Sequence, residues 1–151
     1  MSPITQWGPA CWNLFHTLAE KIKEESFPII GQQLFSQIHL LCQNLPCKEC
    51  SDHAKLFLSK VNVSNLKNKN DLKNLIFVMH EAVNKRKFYA SFKYENLEVY
   101  KNSNIINAFN KFVSTYNTDG NLQLIAENYY RKQLIAGLKR WLMQNMKHFI
   151  I

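Results

Sequence analysis

The chain of 151 residues is 46% hydrophobic and 13% aromatic. That is too apolar for a disordered chain, and long enough to bury the core of one domain. The net charge of +8 comes from lysines scattered among asparagines without a tight basic cluster, which argues against nucleic-acid binding as the main activity.

Four cysteines are too few for a disulfide scaffold of this length. The opening residues Met1-Ser2-Pro3-Ile4-Thr5-Gln6 have neither the basic region nor the apolar run of a secretory signal. No stretch approaches the roughly 20 apolar residues that span a bilayer. The expectation is a soluble, cytoplasmic protein.

Helical periodicity runs through most of the chain. A first amphipathic helix is expected from Pro9, in its first turn, to Glu25, with Trp12, Phe15, His16, Ala19 and Ile22 at helical spacing. Pro28 interrupts, and a second helix from Ile29 to Gln43 turns Leu34, Ile38, Leu41 and Cys42 inward. A third, from Cys47 to Lys60, buries Ala54, Phe57 and Leu58. Residues Val61 to Asn70 read as a loop, and the Asn62-Val63-Ser64 acceptor pattern within it is idle in a chain without a signal peptide. Asn70 or Asp71 caps a fourth helix to Arg86, with Leu72, Leu75, Ile76, Met79 and Val83 apolar. Ser103 to Tyr116 forms another helix and Thr118-Asp119-Gly120-Asn121 a turn. Leu122 to Phe149 then forms one long helix with Ile125, Tyr129, Leu134, Leu138, Trp141 and Leu142 on its stripe. No run makes a convincing strand. The expected fold is all-α: a four-helix bundle (residues 1–100), a short fifth helix and a C-terminal helical extension (101–151).

Chemistry concentrates in Leu45-Pro46-Cys47-Lys48-Glu49-Cys50-Ser51-Asp52-His53. Pro46 sits where a helix can start, which puts Cys47 among unpaired backbone N–H groups whose partial positive charge favours a thiolate. Cys50 and His53 follow at three-residue steps on one face. Cys11 and Cys42 lie inside apolar helical stretches and read as small inert hydrophobes. The Cys47–Cys50 pair is therefore expected to be loaded directly from outside and not through a second pair.

Polar and aromatic groups suited to a flat heterocycle recur four residues apart on other helices: Trp12 with His16, and His80 with Asn84, Arg86 and Lys87 just beyond. Inward groups from facing helices are one way a bundle houses a cofactor.

Three ordered segments carry a resemblance. Trp7-Gly8-Pro9-Ala10-Cys11-Trp12-Asn13-Leu14-Phe15-His16 resembles the W-G-x-x-x-W-x-x-x-H opening of the Erv/ALR family of FAD-linked sulfhydryl oxidases. The Pro46-Cys47-x-x-Cys50 segment is similar to that family's redox motif, and His80-Glu81-Ala82-Val83-Asn84-Lys85-Arg86 to its third segment. The chain is most similar to the single-domain enzymes of large cytoplasmic DNA viruses.

The resemblance implies a helical bundle that cradles FAD, usually as a homodimer. It implies oxidation of substrate protein thiols, or of a thioredoxin-like partner, with O2 as acceptor and H2O2 as product. Cys47 becomes the interchange cysteine and Cys50 the one against the flavin. FAD is then lined by Trp7, Trp12, His16, Cys50, His53, His80, Val83, Asn84, Arg86 and Lys87. The location implied is cytoplasmic, in host and virion if the source is viral. The sequence departs from the pattern in having Glu81 where asparagine is usual, a shorter stretch before the family's lysine, and no extra structural cysteine pair.

The alternative reading is a small zinc-binding helical module built on Cys42, Cys47, Cys50 and His53. It leaves Trp12, His16, His80 and Asn84 without a task. No metal is expected in the oxidase reading.

Overall fold

The computed structural model describes residues 4–116 and 122–151, and of residues 122–125 only the backbone. Among the described residues the secondary structure is helical, apart from one isolated antiparallel bridge between Ile22 and Phe149. The all-α class is what the periodicity called for. In order come α1 (Ile4–Lys21), α2 (Phe27–Cys42), α3 (Lys48–Ser59), α4 (Lys69–Arg86), α5 (Ile105–Tyr116) and α6 (Leu122–Asn145), with a longer 3-10 segment, Tyr94–Asn102, between α4 and α5. The expected turn at Thr118-Asp119-Gly120-Asn121 lies outside the described residues.

The central element is α1. Trp7, Cys11, Leu14, Phe15 and Leu18 are all buried, one stripe at steps of three and four. α5, α4 and the 3-10 segment pack against it. Pro9 lies inside α1 and not in its first turn, because the apolar period reaches back to Trp7. A proline here forfeits one bond, the N–H that would have reached the Thr5 carbonyl. α1 also stops at Lys21 and not at Glu25. There the chain pairs with its far end: Lys23 N–H donates to the His148 carbonyl at 2.8 Å, and Ile150 N–H to the Lys21 carbonyl at 2.6 Å.

Pro28 does not interrupt α2 but sits in its first turn, where a missing N–H costs nothing. α4 starts earlier than its expected Asn70 or Asp71 cap. Asn68 Oδ1 accepts the Asp71 N–H at 2.9 Å, and Asp71 Oδ2 accepts the Lys67 N–H at 2.9 Å, a reciprocal arrangement that closes the helix start. Asn62 Oδ1 is likewise occupied, accepting from Ser64 N–H and Oγ–H.

α6 ends at Asn145, short of the expected Phe149, which leaves the helix to pair with Ile22 and bury its ring. Tyr129, expected on the inward stripe, is exposed, and the buried side runs through Asn128, Arg131, Ile135, Leu138 and Leu142. A stripe drawn in steps of four drifts off a helix that turns every 3.6 residues. Ile125 falls among the side chains not described.

α5 completes the core, with Phe112 and Tyr116 fully buried and stacked on each other. The Tyr116 hydroxyl donates to the Asn44 carbonyl at 2.7 Å. This anchors the turn that leads into the dithiol. Between α1 and α4, Lys73 meets Glu20 at 2.6 Å with both side chains largely buried.

Candidate functional site

Cys47 is the N-cap of α3, with extended backbone, and its sulfur accepts the Cys50 N–H at 3.2 Å. The helix thus begins at Lys48, one residue later than expected, and Pro46 lies before the cap. Ser51 braces the entry: its hydroxyl accepts the Leu45 N–H at 2.8 Å and donates to the Leu45 carbonyl at 3.3 Å. The two cysteines differ in exposure. Cys47 is half-buried, whereas Cys50 is 7% exposed. Burial, with the neighbouring Cys47 thiol, pushes the Cys50 thiol up to about 11, while the nearby Lys87 and Arg86 charges pull it down.

Cys50 opens onto a cavity of about 660 Å³ enclosed by α1, α3 and α4. Of the expected site residues, Trp7, Trp12, Cys50, His53, His80, Val83, Asn84, Arg86 and Lys87 line it. Two do not. Cys47 lies outside the lining, and His16 is buried behind the wall, 3% exposed. Ala54 and Phe57 pack against the core yet are only half-buried, because they also face this space.

The wall opposite the dithiol is an aromatic stack. The Trp12 and His80 rings lie 4.2 Å apart at 9°. Behind them His16 Nε2 and His80 Nδ1 share a hydrogen bond of 2.9 Å, one donating and the other accepting. Phe92 lies against both histidines, at 5.1 and 5.5 Å, and Tyr100 stacks on His16 at 4.8 Å. Burial drives the imidazole of His16 down to about 3, helped by His80, and that of His80 to about 4. Both rings are therefore neutral at physiological pH.

Lys60, Arg86 and Lys87 line the cavity, and Arg86 also reaches Glu49 on α3 at 3.4 Å. His53 faces the cavity but is partly solvent-exposed, 3.7 Å from Glu49 Oε1.

Sequence reasoning missed Lys60, Tyr89, Phe92 and Tyr100. The available signal was the density of aromatics between Phe88 and Tyr100, a stretch without helical period. The four-ligand zinc arrangement is not assembled: no group of three or more metal-ligating side chains converges among the described residues. Cys42 is buried, with its thiol raised to about 12. Among the described residues no helix is long and apolar enough to cross a membrane.

A model described as the Erv1 / Alr family matches residues 9–104. A protein of Invertebrate iridescent virus 6 that carries the name FAD-linked sulfhydryl oxidase 347L is 31% identical over 55 residues, which are 36% of this chain and 50% of that protein. The match therefore spans half the length of that relative. No solved structure matches. The matched stretch begins on α1, runs through the dithiol of α3 and the histidine of α4, and closes after the 3-10 segment, so it takes in nearly every wall of the cavity. By this match the chain belongs to the Erv1 / Alr family.

Proposed function

We propose that this chain is a FAD-dependent sulfhydryl oxidase that makes disulfides in substrate proteins through Cys47 and Cys50. The observation that carries the reading is the split of the dithiol: Cys50 is buried and lines the cavity, while Cys47 is outside its lining and half-open to solvent. One sulfur meets substrate and the other meets a cofactor.

The residues present fit FAD. The cavity is large and mostly apolar, with flat rings and three cations in its lining. Trp12 would hold a ring plane, His80 Nε2 and Asn84 polar edges, and Arg86 and Lys87 the phosphates. Bound FAD would supply a two-electron acceptor that O2 reoxidises, giving H2O2.

The chain's own part begins with the Cys47–Cys50 disulfide. A substrate thiolate attacks Cys47 Sγ, a mixed disulfide forms, and Cys50 leaves as a thiolate. Arg86 and Lys87 stabilise that leaving charge against the cost of burial. A second substrate thiolate then attacks the mixed disulfide, releasing oxidised substrate and reduced Cys47. Two electrons are left on the dithiol, with the Cys50 sulfur facing the cavity. The substrates of this reading are protein thiols or a thioredoxin-like partner, acting on a homodimer in the cytoplasm.

Purified protein should be yellow, with a flavin spectrum, and should consume O2 with dithiothreitol. Cys50→Ala should abolish turnover while retaining flavin. A colourless protein that neither takes up FAD nor consumes O2 would overturn the proposal.

A further inference from the structure

Glu81 stands on α4 beside His80, yet it does not line the cavity. Its carboxylate is committed to the chain that returns after α4. Oε1 accepts the Phe92 N–H at 2.6 Å, and Oε2 accepts the Ser91 hydroxyl at 2.8 Å. These bonds, joined by a weaker pull from the Asn84 amide, hold its pKa below the usual carboxylate range. Between Arg86 and Phe92 the chain reverses through Phe88, whose φ of 58° lies in the left-handed region that a bulky residue rarely adopts. Phe88 is 95% exposed, so its own side chain does nothing to hold that turn. The Tyr89 N–H closes it by donating to the Asn84 carbonyl at 2.8 Å, and the tie on Glu81 fixes the chain just beyond.

What the tie delivers is Phe92, whose ring lies against His80 and His16. His80 is thereby held between neighbours. Trp12 stacks on it, Phe92 covers it, and His16 takes Nδ1. Its Nε2 is left for the cavity it lines.

Resting on the flavin reading above, we propose that Glu81 is a positioning residue for the cofactor: through Ser91 and Phe92 it locks the His80 ring against the cavity. Asparagine, the residue the sequence comparison leads one to expect there, has a side chain one methylene shorter and a single acceptor oxygen. It cannot accept from both Ser91 and Phe92 as a carboxylate does.

The test is a double-mutant cycle on FAD binding, read by quenching of flavin fluorescence in apoprotein titrations. Glu81→Ala should weaken binding about tenfold, the worth of one lost charge-assisted bond. Glu81→Gln, which keeps an acceptor for Phe92 N–H, should recover part of the loss. Combined with Phe92→Ala, Glu81→Ala should cost less than about twofold more, because its route to the ligand is already gone. The visible circular dichroism of the bound flavin should change in Glu81→Ala, a signature that lower fold stability alone does not move. Equal losses in both backgrounds, or unchanged affinity in Glu81→Ala, would overturn this role while leaving the oxidase reading intact. Wild-type protein that binds no FAD would sink both, and that result is read before any variant is made.

Discussion

Cys47 and Cys50 sit three residues apart in sequence but differ in exposure, and only Cys50 lines the cavity. In a Cys50→Ser variant the half-buried Cys47 thiolate should attack the disulfide of an oxidised protein substrate and form a trapped mixed disulfide, releasing the second substrate sulfur as a thiolate, and Cys47→Ser should trap none. A trap found in Cys47→Ser instead, seen by non-reducing electrophoresis, would reverse the roles. The two neutral histidines make a second expectation. Their pKa values are pushed below the ordinary 6.5, to about 3 for His16 and about 4 for His80. The unfolded chain binds protons at these positions near pH 6.5 and the folded chain refuses them, so stability is full above that pH and falls as pH drops. Each histidine adds up to about 1.4 kcal/mol per pH unit, less for the partly exposed His80. Urea midpoints between pH 7 and 5, where carboxylates stay charged, should show the slope, and His16→Phe should flatten it. These residues were legible because a spacing of four on a helix puts Trp12 with His16, and His80 with Asn84, on shared faces. That His16 stands behind the wall was not legible, since periodicity tells which face is buried and not how deep.

Among the elements, α2 shows how a helix can depend on an absence. A Cβ at Gly31 would come within 2.7 Å of the Phe27 ring one turn earlier. Phe27 is buried against the core and cannot swing outward without exposing its ring. Gly31→Ala should therefore destabilise by about 1–3 kcal/mol despite alanine's better helix propensity, measurable as a lowered thermal midpoint. No loss, or a gain, would mean the ring relaxes freely. The starts of α2, α3 and α4 were readable to within three residues, because Pro28, Cys47 and the Asn68–Asp71 run are local signals. The 3-10 segment Tyr94–Asn102 was not, since it has no amphipathic period of its own. It is placed by contacts with α1 and by the tether on Glu81, both distant in sequence.

At the scale of the molecule, both remaining cysteines are buried, and both touch the cavity without belonging to the dithiol. Burial pushes both thiols well up, so neither is a ready nucleophile. A Cys11→Ala, Cys42→Ala variant should oxidise dithiothreitol and a reduced thioredoxin-like protein at near wild-type rates. Selective loss with the protein substrate would reveal a relay. The bundle itself could be anticipated from apolar stripes, but the seating of α5 in its centre could not. Phe112 and Tyr116 look like any amphipathic face until α1 is there to receive them.

The pairing of residues 21–23 with 148–150 has a kinetic side. His148 Nδ1 and Ser26 Oγ meet at 2.9 Å although they are 122 positions apart, and α5 reaches α1 from nearly as far along the chain. Closing such loops consumes entropy before any contact rewards it, so a topology of distant partners folds more slowly than helices that pack on their sequence neighbours. α1, which carries Trp7 and Trp12, is therefore the element that waits longest for its partners. Refolding followed by tryptophan fluorescence should lag behind the recovery of helical circular dichroism, so that helices exist before the cavity has walls.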